Sequence, residues 1–228
     1  MSRPRAPWLL ALVAAGACAG GTASSAPGPA RAASAPAADA SAEFEARYRA
    51  RTDSARMRFT EADVAFMEGM IAHHGQALVM AAFAPTHGAS PQIATLAARI
   101  TNAQQDEIVR MQQWLRDRRR AAPEVMVHGS ELMVHGAGEH VMHGPGMLTP
   151  EQLAELDRAR GPDFDRLFLT YMIQHHRGAV AMVDRLFATD GAAQDNEAFK
   201  LAGDVHVDQT TEIARMQEML DRLSAGAR

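Results

Sequence analysis

Cysteine is nearly absent: the 228-residue chain carries one, Cys18. No disulfide can form within it, and any soft-metal chemistry has to run through methionine and histidine rather than thiolate. Aromatic residues are 5% of the chain and β-branched runs are few, which argues against a β-rich core. Positive charge is not in excess: the formal net charge is -4, a poor match to nucleic acid. No nucleophile beside a base, no phosphate-cradling glycine loop and no nucleotide motif can be read, so substrate turnover is not expected. What the chain does have is Ala, Leu, Met and Arg at one domain's length, the composition of an all-helical domain.

The N-terminus has the layout of a secretory signal. Arg3 and Arg5 precede the apolar run Trp8 to Ala15, followed by Gly16, Ala17 and Cys18. The apolar core is too short to span a bilayer comfortably. "AGAC" resembles a bacterial lipobox, whose cysteine is acylated and becomes the mature N-terminus. Ala15 stands where Leu, Val or Ile is usual, which leaves ordinary cleavage after an alanine, and a chance cysteine, open. Residues 1–18 are thus expected to be a signal of lipoprotein type, 19–42 an Ala/Gly/Ser/Pro tether, and 43–228 the folded domain. Loss of Arg3 and Arg5 with the leader moves the formal charge from -4 to -6. The expected location is periplasmic or cell-surface, with membrane attachment through Cys18 if it is acylated.

Four long helices follow from the pattern. Thr60 with Asp63 opens one running to about Ala84, before Pro85. Pro91 opens the second, to about Arg119. The third runs from near Pro162 to Ala188 and the fourth from about Asn196 to Leu223. Short helices are expected at Ala42–Met57 and, from "TPEQ", at Thr149–Ala159. The two long pairs are copies: "DVAFMEGMIAHHGQALVM" aligns with "DRLFLTYMIQHHRGAVAM", and "QQDEIVRMQQWL" with "QTTEIARMQEML". An αα-hairpin that cannot bury its apolar stripe alone closes on its twin. The expected fold is all-α, an antiparallel four-helix bundle of two repeated αα-hairpins about a pseudo-twofold axis.

At about 100° per residue, Met67, Met70, His73, His74 and Met80 share one face of the first helix with Phe66 and Ala77. Met172, His175, His176 and Met182 do the same on the third, with Leu169 in place of Met67. Gln104, Glu107 and Met111, and Gln209, Glu212 and Met216, point inward from the partner helices. Each buried polar group left unpartnered costs about 1–3 kcal/mol, against a net stability of about 5–15 kcal/mol. These groups therefore satisfy one another or bind something. A His–Glu network with methionine as core filler is the structural reading. The doubled His pair flanked by methionines favours metal, with an imidazole and a thioether on adjoining turns converging on one ion and Glu107 or Glu212 orienting the rings. Thioether with imidazole selects Cu(I) and its mimic Ag(I), and His-dominated geometry also takes Cu(II). No Glu-x-x-His stands at the matched core positions, so a di-iron oxidase is the runner-up and a metal-free scaffold the third reading. Ligation needs neutral imidazole, so binding should weaken near pH 6.5.

These segments, "FMEGMIAHHGQAL", "QQDEIVRMQQWL" and "FDRLFLTYMIQHHRGAVAM", resemble the signature of the ferritin-like "domain of unknown function 305" family over about Thr60 to Leu223. The resemblance implies an exported ferritin-like four-helix bundle, often associated with copper handling and a copper-exporting or copper-receiving partner. Carried over, it points to Met70, His73, His74, Met80, Met172, His175, His176 and Met182. Outside the bundle, "VMVHGSELMVHGAGEHVMHGPGML" connects the hairpins. Glycine at each repeat argues against helix. Met126, His128, Met133, His135, His140, Met142, His143 and Met147 are expected to collect metal there, more weakly than the bundle because a glycine-rich chain loses entropy on wrapping an ion.

Overall fold

The computed structural model describes residues 37–129, 131–136 and 143–226. Cys18, the leader, His140 and Met142 lie outside the described residues. The chain divides into two units between Glu43 and Phe44; of the first, only the start of α1 is described. Helix α1 is Ala37–Arg56, so it begins within the segment expected to be a tether. Then follow α2 (Glu61–Ala82), α3 (Pro91–Asp117), strands β1 (Glu124–His128) and β2 (Glu131–His135), α4 (Pro150–Arg158), α5 (Gly161–Phe187) and α6 (Asn196–Gly226).

The helix starts are set by local chemistry. Thr60 and Asp63 form a reciprocal capping box on α2, the Thr60 N–H donating to the Asp63 carboxylate at 2.7 Å. Ser90 caps α3 with Pro91 in its first turn, and Thr149 with Gln152 repeats the box on α4. Such caps satisfy N–H groups that a helix end leaves orphaned.

Packing joins α2 to α3, α5 to α6, α2 to α5 and α3 to α6. Gly69 on α2 lies beside Met182, and His73 beside His175, so α2 and α5 run antiparallel. The repeated Asp63 and Asp165 prove to be cross-hairpin staples. Asp63 accepts the Ala193 N–H at 2.7 Å, from the α5–α6 loop, and Asp165 accepts the Ser90 N–H at 3.1 Å, from the α2–α3 loop. At the far end of α3, Arg118 is buried over the Trp114 ring and donates to Asp195 at 2.7 Å.

The expectation of an all-α chain needs correction. The fold is mostly helical, but the first half of the inter-hairpin linker is an antiparallel β-hairpin, pairing Val125 with Val134, Met126 with Met133 and Val127 with Leu132. Residues directly opposite share a face. Val125 and Leu132 lie against α2 at Gly75, which puts Met126 and Met133 on the other face. Among the described residues no helix is long and apolar enough to cross a membrane.

Candidate metal centre

All four paired histidines are fully buried. The antiparallel crossing of α2 and α5 brings the inner pair together: the His73 and His175 rings lie 3.8 Å apart between centroids. The outer pair turns to the partner helices. His74 Nε2 donates to Glu107 Oε2 at 2.6 Å and His176 Nε2 to Glu212 Oε2 at 2.7 Å. A carboxylate only accepts, so each of these rings carries its proton on Nε2 and, when neutral, presents a lone pair at Nδ1.

His73 is fixed in the same tautomer by a group the sequence did not suggest. Its Nε2 donates to the Pro145 carbonyl oxygen at 2.9 Å. The Nδ1 atoms of His73, His74 and His176, and both ring nitrogens of His175, are buried without a partner, as are the side-chain amide of Gln104 and the Gln209 oxygen. Burial, reinforced by neighbouring His74, pushes the His73 pKa down to about 3. Burial, with His73, His176 and His74 beside it, pushes His175 well below 6.5. Both are thus neutral, ligand-ready imidazoles far below the pH at which a solvated histidine takes up a proton.

The methionines fall into two core clusters. Met70 and Met80 do not share a layer. Met67, Met70 and Met111 belong to one core cluster, against which the half-buried Met182 packs. Met80, Met172 and Met216 belong to another. The antiparallel crossing causes this, since the residue three before a histidine pair on one helix meets the residue seven after the pair on its twin. Each methionine layer is therefore built from both hairpins. Among the described residues no three His, Cys, Asp or Glu side chains gather closely enough to hold a metal by themselves; the softer thioethers are the donors that flank the imidazoles.

In the linker, Met126, His128 and His135 are exposed and Met133 is half-buried on the ordered β-hairpin. These four sit on paired strands, so their backbone is ordered before any ion is bound. His143 is exposed and Met147 half-buried beside the bundle. Sequence reasoning missed Pro145, Gln76 and Gly178. Gln76 bonds both backbone groups of Leu148, accepting its N–H at 2.6 Å and donating to its carbonyl at 3.0 Å. The available signal was a break in the repeat: Gly75-Gln76 follows the first histidine pair and Arg177-Gly178 the second, and Gly75, Gln76 and Gly178 are where the linker docks.

Comparison with known proteins shows the family and a similar fold. The family described as "Domain of unknown function (DUF305)" matches residues 63–220. Among solved structures, a DUF305 fragment from Deinococcus radiodurans is 28% identical, with a TM-score of 0.59, covering 72% of this chain and 98% of that one. CopM, solved in Cu(I)-bound, Cu(II)-bound and Ag-bound forms, is 27 to 29% identical with TM-scores of 0.52 to 0.54, covering 70% of this chain and 96% of CopM. No curated protein matches the chain.

Proposed function

The chain belongs to the DUF305 family, and from that premise we propose that it is an extracytoplasmic copper-binding protein, serving in buffering, trafficking or resistance. Its cargo is Cu(I), with Ag(I) as mimic and Cu(II) taken through the imidazoles. One observation carries the reading: His73 and His175 are in ring contact, neutral, and together hold three buried ring nitrogens without partners. An ion would satisfy nitrogens that otherwise destabilise the fold. Met67, Met70 and Met111 on one side, with half-buried Met182 packed against them, and Met80, Met172 and Met216 on the other, are the thioethers around that pair. Glu107 and Glu212 orient His74 and His176. Met126, Met133, His128 and His135 on the β-hairpin supply a more exposed set.

The copper- and silver-bound forms of CopM support the choice of metal. The closed sequence of packings, α2 to α3 to α6 to α5 and back to α2, supports a ferritin-like four-helix bundle. The leader supports export, and acylation of Cys18 would tether the protein to a membrane, in reach of a copper-exporting or copper-receiving partner.

The test is anaerobic Cu(I) titration of the parent and of His73→Ala with His175→Ala, beside oxygen-uptake assays with Fe(II) and Cu(I). The expected result is a tight Cu(I) class that the double variant loses while keeping its helix content, since Ala is a good helix former. Unchanged stoichiometry and affinity in the variant would return the histidines to a structural role. Sustained oxygen consumption would move the protein to the metal oxidases.

A further inference from the structure

The segment from His143 to Leu148 lies against α2 and α5 beside the paired histidines. It is tied down by the two Gln76–Leu148 bonds, by Gln174 Nε2 donating to the Gly146 carbonyl at 3.3 Å, and by His73 donating to Pro145. Two glycines allow the close seating. Gly146 has φ +72°, and a Cβ there would stand 2.7 Å from the Gly178 Cα; a Cβ on Gly178 would overlap the Pro145 carbonyl oxygen.

Beside this strap, side chains of separate origin converge. A methyl group added to Gly144 would stand 3.4 Å from the Met147 sulfur, 3.5 Å from His73 Cδ2 and 3.7 Å from the Met182 sulfur. One thioether comes from the strap, the other from α5, and the edge of a buried imidazole completes the surround. The Gly144 N–H donates to the Met147 sulfur at 3.2 Å, which holds that sulfur in place. Solvent reaches the spot from two sides: His143, Gly144 and Met182 line one cleft, and His143, Gly144 and Met147 line another. Methionine has three rotatable bonds, which let both sulfurs adjust towards the roughly 2.3 Å of a metal–sulfur bond.

We propose that Met147 and Met182 form a capture site for a soft monovalent cation, Cu(I) or Ag(I), shared between the strap and α5 and standing between solvent and the buried histidines. The proposal rests on the copper reading above and adds a site that neither the bundle nor the linker forms alone. Thioethers do not titrate, so capture needs no proton release. An ion bridging the two sulfurs also pins the strap to α5, coupling occupancy to the closure over His73.

The test uses the full chain, titrated anaerobically with Ag(I) and Cu(I) against a competing chelator. Met147→Leu and Met182→Leu conserve volume and keep the fold, checked by circular dichroism. Each is expected to weaken one class of sites by about tenfold or more, and the double variant no further than either single, because both remove the same site. Gly178→Ala, which expels the strap while leaving both sulfurs in the chain, should reproduce the loss. Unchanged binding in the single variants, losses that multiply as for independent sites, or parental binding by Gly178→Ala would each overturn the proposal while leaving the copper reading standing. Absence of tight Ag(I) and Cu(I) binding by the parent would overturn that reading itself.

Discussion

His175 is fully buried and neither ring nitrogen makes a well-formed hydrogen bond, with the His73 backbone its nearest polar neighbour. Two consequences can be measured without metal. First, His175→Leu should stabilise the apo protein by about 1–3 kcal/mol, since it removes unpaired polar atoms and leaves an apolar group of similar bulk. The same variant should lose the Ag(I)-dependent rise in unfolding midpoint, and a destabilised apo form would show that the ring has partners in solution. Second, the depressed pKa values set the pH dependence. His73 takes up a proton near 6.5 when unfolded and only near 3 when folded. Between those values the unfolded chain binds more protons, so stability is full above about pH 6.5 and falls as pH drops towards 3, by up to about 5 kcal/mol for this residue. His175 acts in the same direction. Urea unfolding of the apo protein from pH 7 to 4 should show the decline, with a shallower slope in His73→Ala. Proton competition with metal, expected near pH 6.5 for ordinary histidines, moves lower for these two because burial has already excluded the proton.

Among the elements, the β-hairpin turns a string of metal-binding residue types into a surface. Inward Val125 and Leu132 seat it on Gly75 of α2, and Met126 stands opposite Met133 in the ladder, with His128 beside Glu131 and His135 beside Glu124. Replacing Met126 and Met133 together by Leu should remove an exposed class of Cu(I) sites and leave the histidine class intact, as read by chelator competition; loss of the tight class instead would make the hairpin the principal site. The helices were legible because their signals are local: Thr60 with Asp63, Pro91 in a first turn, Thr149 with Gln152, and a 3.6-residue apolar period. The hairpin was legible too, in the alternation of "EVMVH" and "ELMVH" around Gly129-Ser130, but the repeated His-Gly pairs masked it as a coil. The strap was not. Its seating depends on Gly146 meeting Gly178 and on Gln76 reaching Leu148, contacts between segments distant in sequence that no local pattern encodes.

For the molecule as a whole, the repeat explains which residues act together. An αα-hairpin working alone would bind an ion through Met70, His73, His74 and Met80 of one helix, and its twin would bind a second. Packing across the antiparallel crossing groups the methionines between hairpins: Met80 lies in one core cluster with Met172 and Met216, and Met70 in another with Met67 and Met111, against which Met182 packs. The staples Asp63–Ala193 and Asp165–Ser90 hold the two hairpins in this register. Effects on metal affinity should therefore couple across hairpins and not along a helix. In double-mutant cycles read by Ag(I) competition, Met80→Leu and Met172→Leu should be non-additive, since either removes the same layer, whereas Met70→Leu and Met80→Leu should add. Leucine conserves the core volume, so the fold survives each change. Additivity across α2 and α5 with coupling inside α2 would restore two independent half-sites. The predicted pattern also makes the ion a cross-link: one that draws donors from both hairpins stabilises the folded chain by mass action, about 4 kcal/mol at a thousand times its dissociation constant. Asp165→Ala, which frees the Ser90 N–H, should then unfold earlier in the apo state and recover a larger share of its midpoint when Ag(I) is bound.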